Sequence, residues 1–319
     1  MSLTKAAELV QALLRNPTVR IKNIEATTQK LGKILQDGPI NLHFISDFDM
    51  TMSRYWVRNQ VTDALERNPS CHGVPARYSK MSDEFRKASD KLVKTYYPIE
   101  INQKMSFEER LPYMVEWWQK AHNLMIEQKL SRDGMFDEDD VHTMEIDIEN
   151  TIDLRNMAEE AHISLRPRVE TVLSMCHKTN IPFLVFSAGI GNVIDEVLKA
   201  KKLLYPNMHI VSNMMHFDEQ GYCDSFVDPL IHVFNKSEFQ LETTPYFESI
   251  ESRANVILMG DSLGDLKMSK GVKHDLCLNI GFCNHDWETT EDLYTEAFDI
   301  VIMRDANFAP VVDILEALK

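Results

Sequence analysis

Asp47 and Asp49 stand two residues apart at the end of an apolar run, Phe44-Ile-Ser-Asp-Phe-Asp-Met-Thr51. In an extended chain, residues two apart point to the same side. The acids therefore sit together where a buried strand leaves its sheet, which is where open α/β sheets build their sites. Two carboxylates this close repel each other. The pair persists when a metal cation neutralises it or when one member holds a proton, and either state equips it for nucleophilic and acid/base chemistry. Asp and Thr are also common in solvated turns at strand ends, so the pair alone does not decide between a site and a turn.

Later strand ends carry residues of matching use. The run 181–186 leads into Ser187-Ala-Gly-Ile-Gly191 and then a helical stretch. Glycines there turn amides toward an anion, the serine adds a donor, and the helix N-terminus adds partial positive charge. The run 255–259 ends in Gly260-Asp-Ser-Leu-Gly-Asp265. Asp261 and Asp265, joined to the first pair, make the hard-oxygen surroundings that magnesium prefers. Each segment also reads as an ordinary turn or helix cap. His274, Cys277, Cys283 and His285 could be read as zinc ligands, but their spacing fits no common finger and Cys277 sits in a strand-like run.

The elements that must position these residues are legible in the periodicity. An isolated strand at 42–48 precedes a long helical region without a clear strand. Within it, Phe85, Ala88, Leu92, Val93 and Tyr96 recur at helical spacing until Pro98 stops the run. Ser106-Phe-Glu-Glu109 spells a capping box for a second helix, with its start or a kink near Pro112. An acidic stretch at 133–140 comes next, then helix to His162. From Arg166-Pro167 onward helices alternate with strands at 181–186, 208–212, 255–259, 276–280 and 298–302, with a hairpin through Asp218-Glu-Gln-Gly221. The expectation is an α/β fold: a parallel, Rossmann-like core of residues 1–54 and 165–319, with a helical cap of residues 55–164 inserted after the first motif.

The chain has 319 residues, 44% of them hydrophobic, enough for a full core plus an insert. Its longest apolar runs are strand length, far short of the ~20 residues of a membrane span, and Met1 to Arg15 is amphipathic rather than signal-like. The five cysteines are scattered without a CxxC pair, as suits a reducing compartment. A cytoplasmic monomer is expected. The formal net charge of -15 argues against a nucleic-acid polymer. A small phosphate ester would need local positive charge against that field.

In order, the motifs resemble those of the haloacid dehalogenase superfamily of phosphohydrolases: Asp47/Asp49/Thr51, Ser187, Lys236 and Asp261/Asp265. The likeness extends to the cytosolic 5′-nucleotidase III group through Tyr97-Pro-Ile-Glu100, Tyr113-Met-Val-Glu-Trp117, Phe186-Ser-Ala-Gly-Ile-Gly191 and His232-Val-Phe-Asn-Lys236. Residues 132–168, including Leu165-Arg-Pro-Arg168, and the loop 269–274 depart from that pattern. The resemblance implies a magnesium-dependent nucleotidase working through an aspartyl-phosphate. Asp47 is then the nucleophile and Asp49 the acid/base. Asp47, Asp261, Asp265 and the backbone carbonyl of Asp49 hold the metal. Thr51, Ser187, the amide of Ala188 and Lys236 hold phosphate.

By the same resemblance, Glu100 and Trp118 bind the base of a nucleoside monophosphate, with His72 and His122 as further ribose or base contacts. Trp118 lies equally on the apolar stripe of its own helix. Tryptophan here is associated with forms that accept 7-methyl-GMP, and indole is the best side chain for stacking on a cationic base. Pyrimidine nucleotides such as CMP keep a weaker version of both contacts. The rival readings are a phosphatase of another small metabolite and a catalytically silent nucleotide-binding protein.

Overall fold

The computed structural model describes residues 2–59, 61–102, 104–132, 152–232, 235–236, 245–270 and 274–319. In chain order its elements are α1 (Ser2–Leu14), β1 (Val19–Arg20), α2 (Ile24–Asp37), β2 (Leu42–Ser46), β3 (Trp56–Arg58), β4 (Leu65–Arg67), α3 (Val74–Arg77), α4 (Asp83–Glu100), α5 (Phe107–Ile126) and α6 (Leu154–Glu160). Then come α7 (Val169–Lys178), β5 (Phe183–Ile190), α8 (Gly191–Ala200), β6 (Met208–Asn213), β7 (Met215–Phe217), β8 (Cys223–Phe226), α9 (Pro245–Ile250), β9 (Asn255–Gly260), β10 (Leu276–Cys283), α10 (Trp287–Ala297), β11 (Ile300–Met303) and α11 (Ala309–Ala317).

Seven strands form one sheet in the order β1-β11-β10-β9-β2-β5-β6, parallel except for the edge strand β1. Every residue of β2, β5 and β9 is buried, as expected for strands covered on both faces. Period-two alternation divides their side chains between two cores. Phe44, Phe183, Val185, Ile257 and Met259 pack on one face with α1, α2, α7, α8 and α11. Ile45, Leu184, Phe186, Val256 and Leu258 join Tyr246 and Ile250 of α9 on the other. That second core continues into Tyr96, Met114, Trp117, Trp118 and Ala121 of α4 and α5. The helical insert is thus packed onto the sheet face beside the site.

Because β9, β2 and β5 are neighbours and parallel, Asp261 and Asp47, just beyond the C-terminal ends of β9 and β2, and Ser187, just past Phe186 where the ladder of β5 to β6 breaks register, emerge side by side at one edge. Three motifs far apart in sequence meet there.

Two expectations are corrected. Pro98 does not stop α4, which runs on to Glu100; proline costs one backbone donor, and the turn beyond it closes through the Ile101 N–H to Tyr97 carbonyl bond. The insert is also not strand-free, since β3 and β4 pair as an antiparallel ribbon. Their residues are mostly exposed, so no apolar run marked them. The Ser106–Glu109 capping box opens α5 at Phe107, with Pro112 inside the helix, and the hairpin at 218–221 joins β7 to β8. The acidic stretch 133–140 and the helix expected after it as far as 151 lie outside the described residues.

Candidate active site

The first loop is built by β2 and the turn beyond it. Asp47 continues the ladder, its N–H donating to Met259 carbonyl at 3.0 Å. The chain then makes a wide turn through Phe48–Met52, with Met50 at φ 62 and the Ser53 N–H returning to Phe48 carbonyl at 2.9 Å. The turn directs the Asp49 side chain toward the insert, where the Cys71 N–H donates to both carboxylate oxygens at 2.9 and 3.0 Å. Burial pushes Asp49 up to about 6, against the lowering effect of that bond.

Lys236 is buried between two carboxylates, in direct contact with Asp47 and 2.9 Å from Asp265. Asp265 is fixed in turn as the third residue of a capping box, accepting from the Ser262 N–H at 2.9 Å and hydroxyl at 2.8 Å. Oxygens of Asp47, Asp261 and Asp265 lie within 4.8 Å of one another. Burial raises Asp47 and Asp261, with neighbouring carboxylates adding to the rise in both. Three carboxylates and one lysine leave excess negative charge in a desolvated place. An all-oxygen donor set of this size fits a hard divalent cation. Among the described residues no other His, Cys, Asp or Glu group has metal-ligand spacing, so the structure does not gather His274, Cys277, Cys283 and His285.

Between Phe186 and Ile190 the ladder to β6 shifts register, and Ser187, Ala188 and Gly189 line the cleft. The Gly189 N–H donates to the Ser187 hydroxyl at 3.0 Å. Ala188 carbonyl accepts from Trp118 Nε1 at 3.2 Å and from Asn213 Nδ2 at 2.8 Å.

These groups share one cleft of about 430 Å³ with Arg67, His72, Arg77, Val93, Tyr97, Glu100, Trp117 and Trp118. Val93, Tyr97 and Glu100 are spaced four and three apart on α4, hence on one helical face. Continuation of the helix past Pro98 is what brings Glu100 there, with burial raising its carboxyl. Lys236, Arg67 and Arg77 supply local positive charge in a chain of net charge -15.

The family model for pyrimidine 5′-nucleotidase (UMPH-1) matches residues 50–319. The chain belongs to that family. It is accordingly a phosphoric monoester hydrolase with the α/β fold of haloacid dehalogenase-type enzymes. It is 36% identical over 305 residues to the 7-methylguanosine phosphate-specific 5′-nucleotidase A of Xenopus laevis, covering 95% of this chain and 97% of that protein. Likewise, it is 35% identical over 311 residues to the 7-methylguanosine phosphate-specific 5′-nucleotidase of Homo sapiens, covering 97% and 95%. A crystal structure of cytosolic 5′-nucleotidase IIIB bound to cytidine matches with a TM-score of 0.79 and 30% identity, covering 97% of this chain and 95% of that one.

Within this nucleotidase, two residues expected at the site are placed elsewhere. Thr51 is fully buried with its hydroxyl unpartnered and is not among the residues lining the cleft; the wide turn faces it inward. His122 stacks on Phe226 at 3.7 Å and lines a separate pocket with Asn213 and Asp228. His72 does line the cleft, 5.1 Å from the Trp118 ring. Trp118 is both cleft wall and core, 6% exposed and edge-on to Trp117. Sequence reasoning missed Trp117, Arg67, Arg77 and the Cys71 amide. Trp117 sits beside Trp118 and carries its own aromatic signal, whereas nothing marks a backbone N–H.

Proposed function

We propose that this nucleotidase hydrolyses 7-methyl-GMP, and more weakly CMP, to nucleoside and phosphate in a magnesium-dependent reaction through an aspartyl-phosphate. The observation that carries this is a single cleft lined both by Asp47, Asp49, Lys236, Asp261 and Asp265 and by Glu100, Trp117 and Trp118. Relatives named for 7-methylguanosine phosphate, and a cytidine-bound structural match, support the choice of bases. Residues 55–164 act as the specificity cap over a core of residues 1–54 and 165–319.

Asp47 Oδ attacks the phosphorus as the bond to the nucleoside 5′ oxygen breaks. Asp49, its carboxyl raised by burial, gives that oxygen its proton and later takes one from the water that hydrolyses the acyl phosphate. Lys236 and the Ser187–Gly189 loop face the phosphoryl oxygens and hold their charge. Asp47, Asp261 and Asp265, with the Asp49 carbonyl, would hold magnesium, which when bound offsets the charge of nucleophile and phosphate together. Glu100 accepts from the N1–H and amino group of the base, and Trp118 with Trp117 supplies the aromatic wall that favours a cationic ring. The protein works as a cytoplasmic monomer; a relative named putative cytosolic 5′-nucleotidase 3 from Caenorhabditis elegans supports the compartment, and no described helix is long and apolar enough to cross a membrane.

Initial rates on 7-methyl-GMP, CMP, UMP, GMP and AMP test the assignment. The expected order places 7-methyl-GMP first, CMP and UMP next, and GMP and AMP last. Equal rates on GMP and 7-methyl-GMP would remove the cationic-base argument.

A further inference from the structure

Arg166 is fully buried beneath the active site, in the stretch Leu165-Arg-Pro-Arg168. Its guanidinium donates to Thr51 carbonyl at 2.8 Å, Met50 carbonyl at 2.6 Å, Ser53 carbonyl at 3.4 Å, Ala306 carbonyl at 2.7 Å and Asn284 Oδ1 at 3.0 Å. It also pairs with Asp305 at 3.0 Å and lies 4.6 Å from the centre of the Phe282 ring. Asn284 Nδ2 donates to the same Met50 carbonyl at 2.8 Å. Three of these acceptors are consecutive or nearly consecutive carbonyls of the turn that carries Asp49.

The same network reaches both linkers between core and insert. Asp305 accepts from the N–H groups of Tyr55 and Trp56 at 2.8 and 3.2 Å. The Arg166 N–H donates to Met52 carbonyl at 2.8 Å and the Arg54 N–H to Ser164 carbonyl at 2.9 Å. Asn68 Nδ2 bridges the carbonyls of Arg54 and Ser164 at 2.9 and 3.0 Å.

Asp47 and Asp49 depend on this network unequally. Asp47 is held by the sheet through Met259. Asp49 lies beyond the ladder, next to Met50 with its positive φ, so its carboxyl is placed by the Arg166-braced turn below and the Cys71 N–H above. We propose that Arg166 is the positioning residue for Asp49, locking the turn and both linkers so that the insert and the core present one proton donor to the leaving oxygen. This rests on the reading of Asp49 as general acid. A lysine could not replace it: one ammonium cannot serve acceptors spread around a planar fork.

In the first half-reaction the Asp47 Oδ–P bond forms, the O5′–P bond breaks, and the Asp49 proton moves to O5′. A substrate whose leaving atom needs no proton bypasses Asp49. The test compares kcat/KM for CMP with that for its 5′-deoxy-5′-thio analogue, phosphorylated on sulfur, in Arg166→Lys, Asn284→Ala and Asp49→Asn. Arg166→Lys should lose about tenfold or more on CMP beyond its loss on the thio analogue, through kcat with KM little changed. Asn284→Ala should show the same direction to a smaller degree, and it carries the test if Arg166→Lys does not fold. Equal losses on both substrates in the Arg166 or Asn284 variant, with a selective loss in Asp49→Asn, would overturn the positioning role and leave Asp49 as acid. Equal losses in Asp49→Asn would overturn the acid assignment and the proposal with it.

Discussion

The Cys71 N–H and the Asp49 carboxylate, 22 residues apart, meet at 2.9 and 3.0 Å, so the insert itself holds the side chain assigned to proton transfer. Gly189 faces the same point. A Cβ there would stand 2.9 Å from Cys71 Cβ, 3.1 Å from Asp49 Oδ2 and 3.3 Å from the Ser187 hydroxyl. Gly189→Ala should therefore displace Asp49 and lower kcat roughly tenfold to a hundredfold, since displacements near 1 Å carry costs of that order. Kinetics beside a melting curve check this; wild-type kcat in the folded variant would contradict the crowding.

Asp47→Asn should lower turnover by several orders of magnitude while the protein still folds and binds nucleotide. The change removes the nucleophile, keeps its shape, and leaves Lys236 paired with Asp265. Wild-type turnover in a purified, folded variant would sink the nucleophile assignment.

Activity should vanish in EDTA and return with magnesium, whereas calcium, with its larger and looser shell, should restore little. Because Asp47, Asp261 and Asp265 crowd together, magnesium should also raise the melting temperature, and Asp261→Asn should shrink that rise. Full activity in excess EDTA would rule out the metal.

Trp118→Ala should hurt 7-methyl-GMP more than CMP, by about 0.5–2 kcal/mol of cation–π energy, and through KM more than kcat because the base is remote from phosphorus. The ring is also 6% exposed and bonded to Ala188 carbonyl, so about 3–5 kcal/mol of stability should go with it. Trp118→Phe should retain most of the packing and lose the hydrogen bond. Equal kinetic losses on the two nucleotides would mean that Trp118 only packs the insert against the core.

Burial lowers His43 from 6.5 to about 3, with His274 and Arg253 adding to the effect. A folded-state value below the unfolded one means that the unfolded chain binds the extra proton. The stability from neutral His43 is therefore complete above pH 6.5 and is lost as pH falls toward 3, at up to about 1.4 kcal/mol per pH unit. The buried site carboxylates are shifted upward and act in the opposite sense. Subtracting the unfolding free energies of His43→Gln isolates the histidine, and the wild-type advantage should shrink from about pH 6 to about pH 4. A difference that is flat with pH would contradict it.

The sequence by itself determined the parallel strands of the main sheet and the order of their motifs, though not the exposed ribbon of β3 and β4. Asp47, Ser187 and Asp261 each end an apolar run, and buried parallel strands deliver the loops at their C-terminal ends to one edge of the sheet. Family membership came from the same residues, because motif spacing is a property of the chain. The capping box at Ser106 was equally local, one hydroxyl and one carboxylate three residues on.

What only the tertiary structure decided are relations between segments that share no spacing. Lys236 is one lysine among many until it is buried between Asp47 and Asp265. Thr51 and His122 have the right chemistry but do not line the cleft, since side-chain placement depends on a turn or on a packing partner and not on residue type. Glu100 reaches the cleft because α4 tolerates Pro98, a balance of one lost backbone bond against the packing of a whole helix. The Cys71 amide and the Arg166 guanidinium were invisible for the plainest reason: every residue but proline has the first, and nothing near residue 166 says which carbonyls the second will meet.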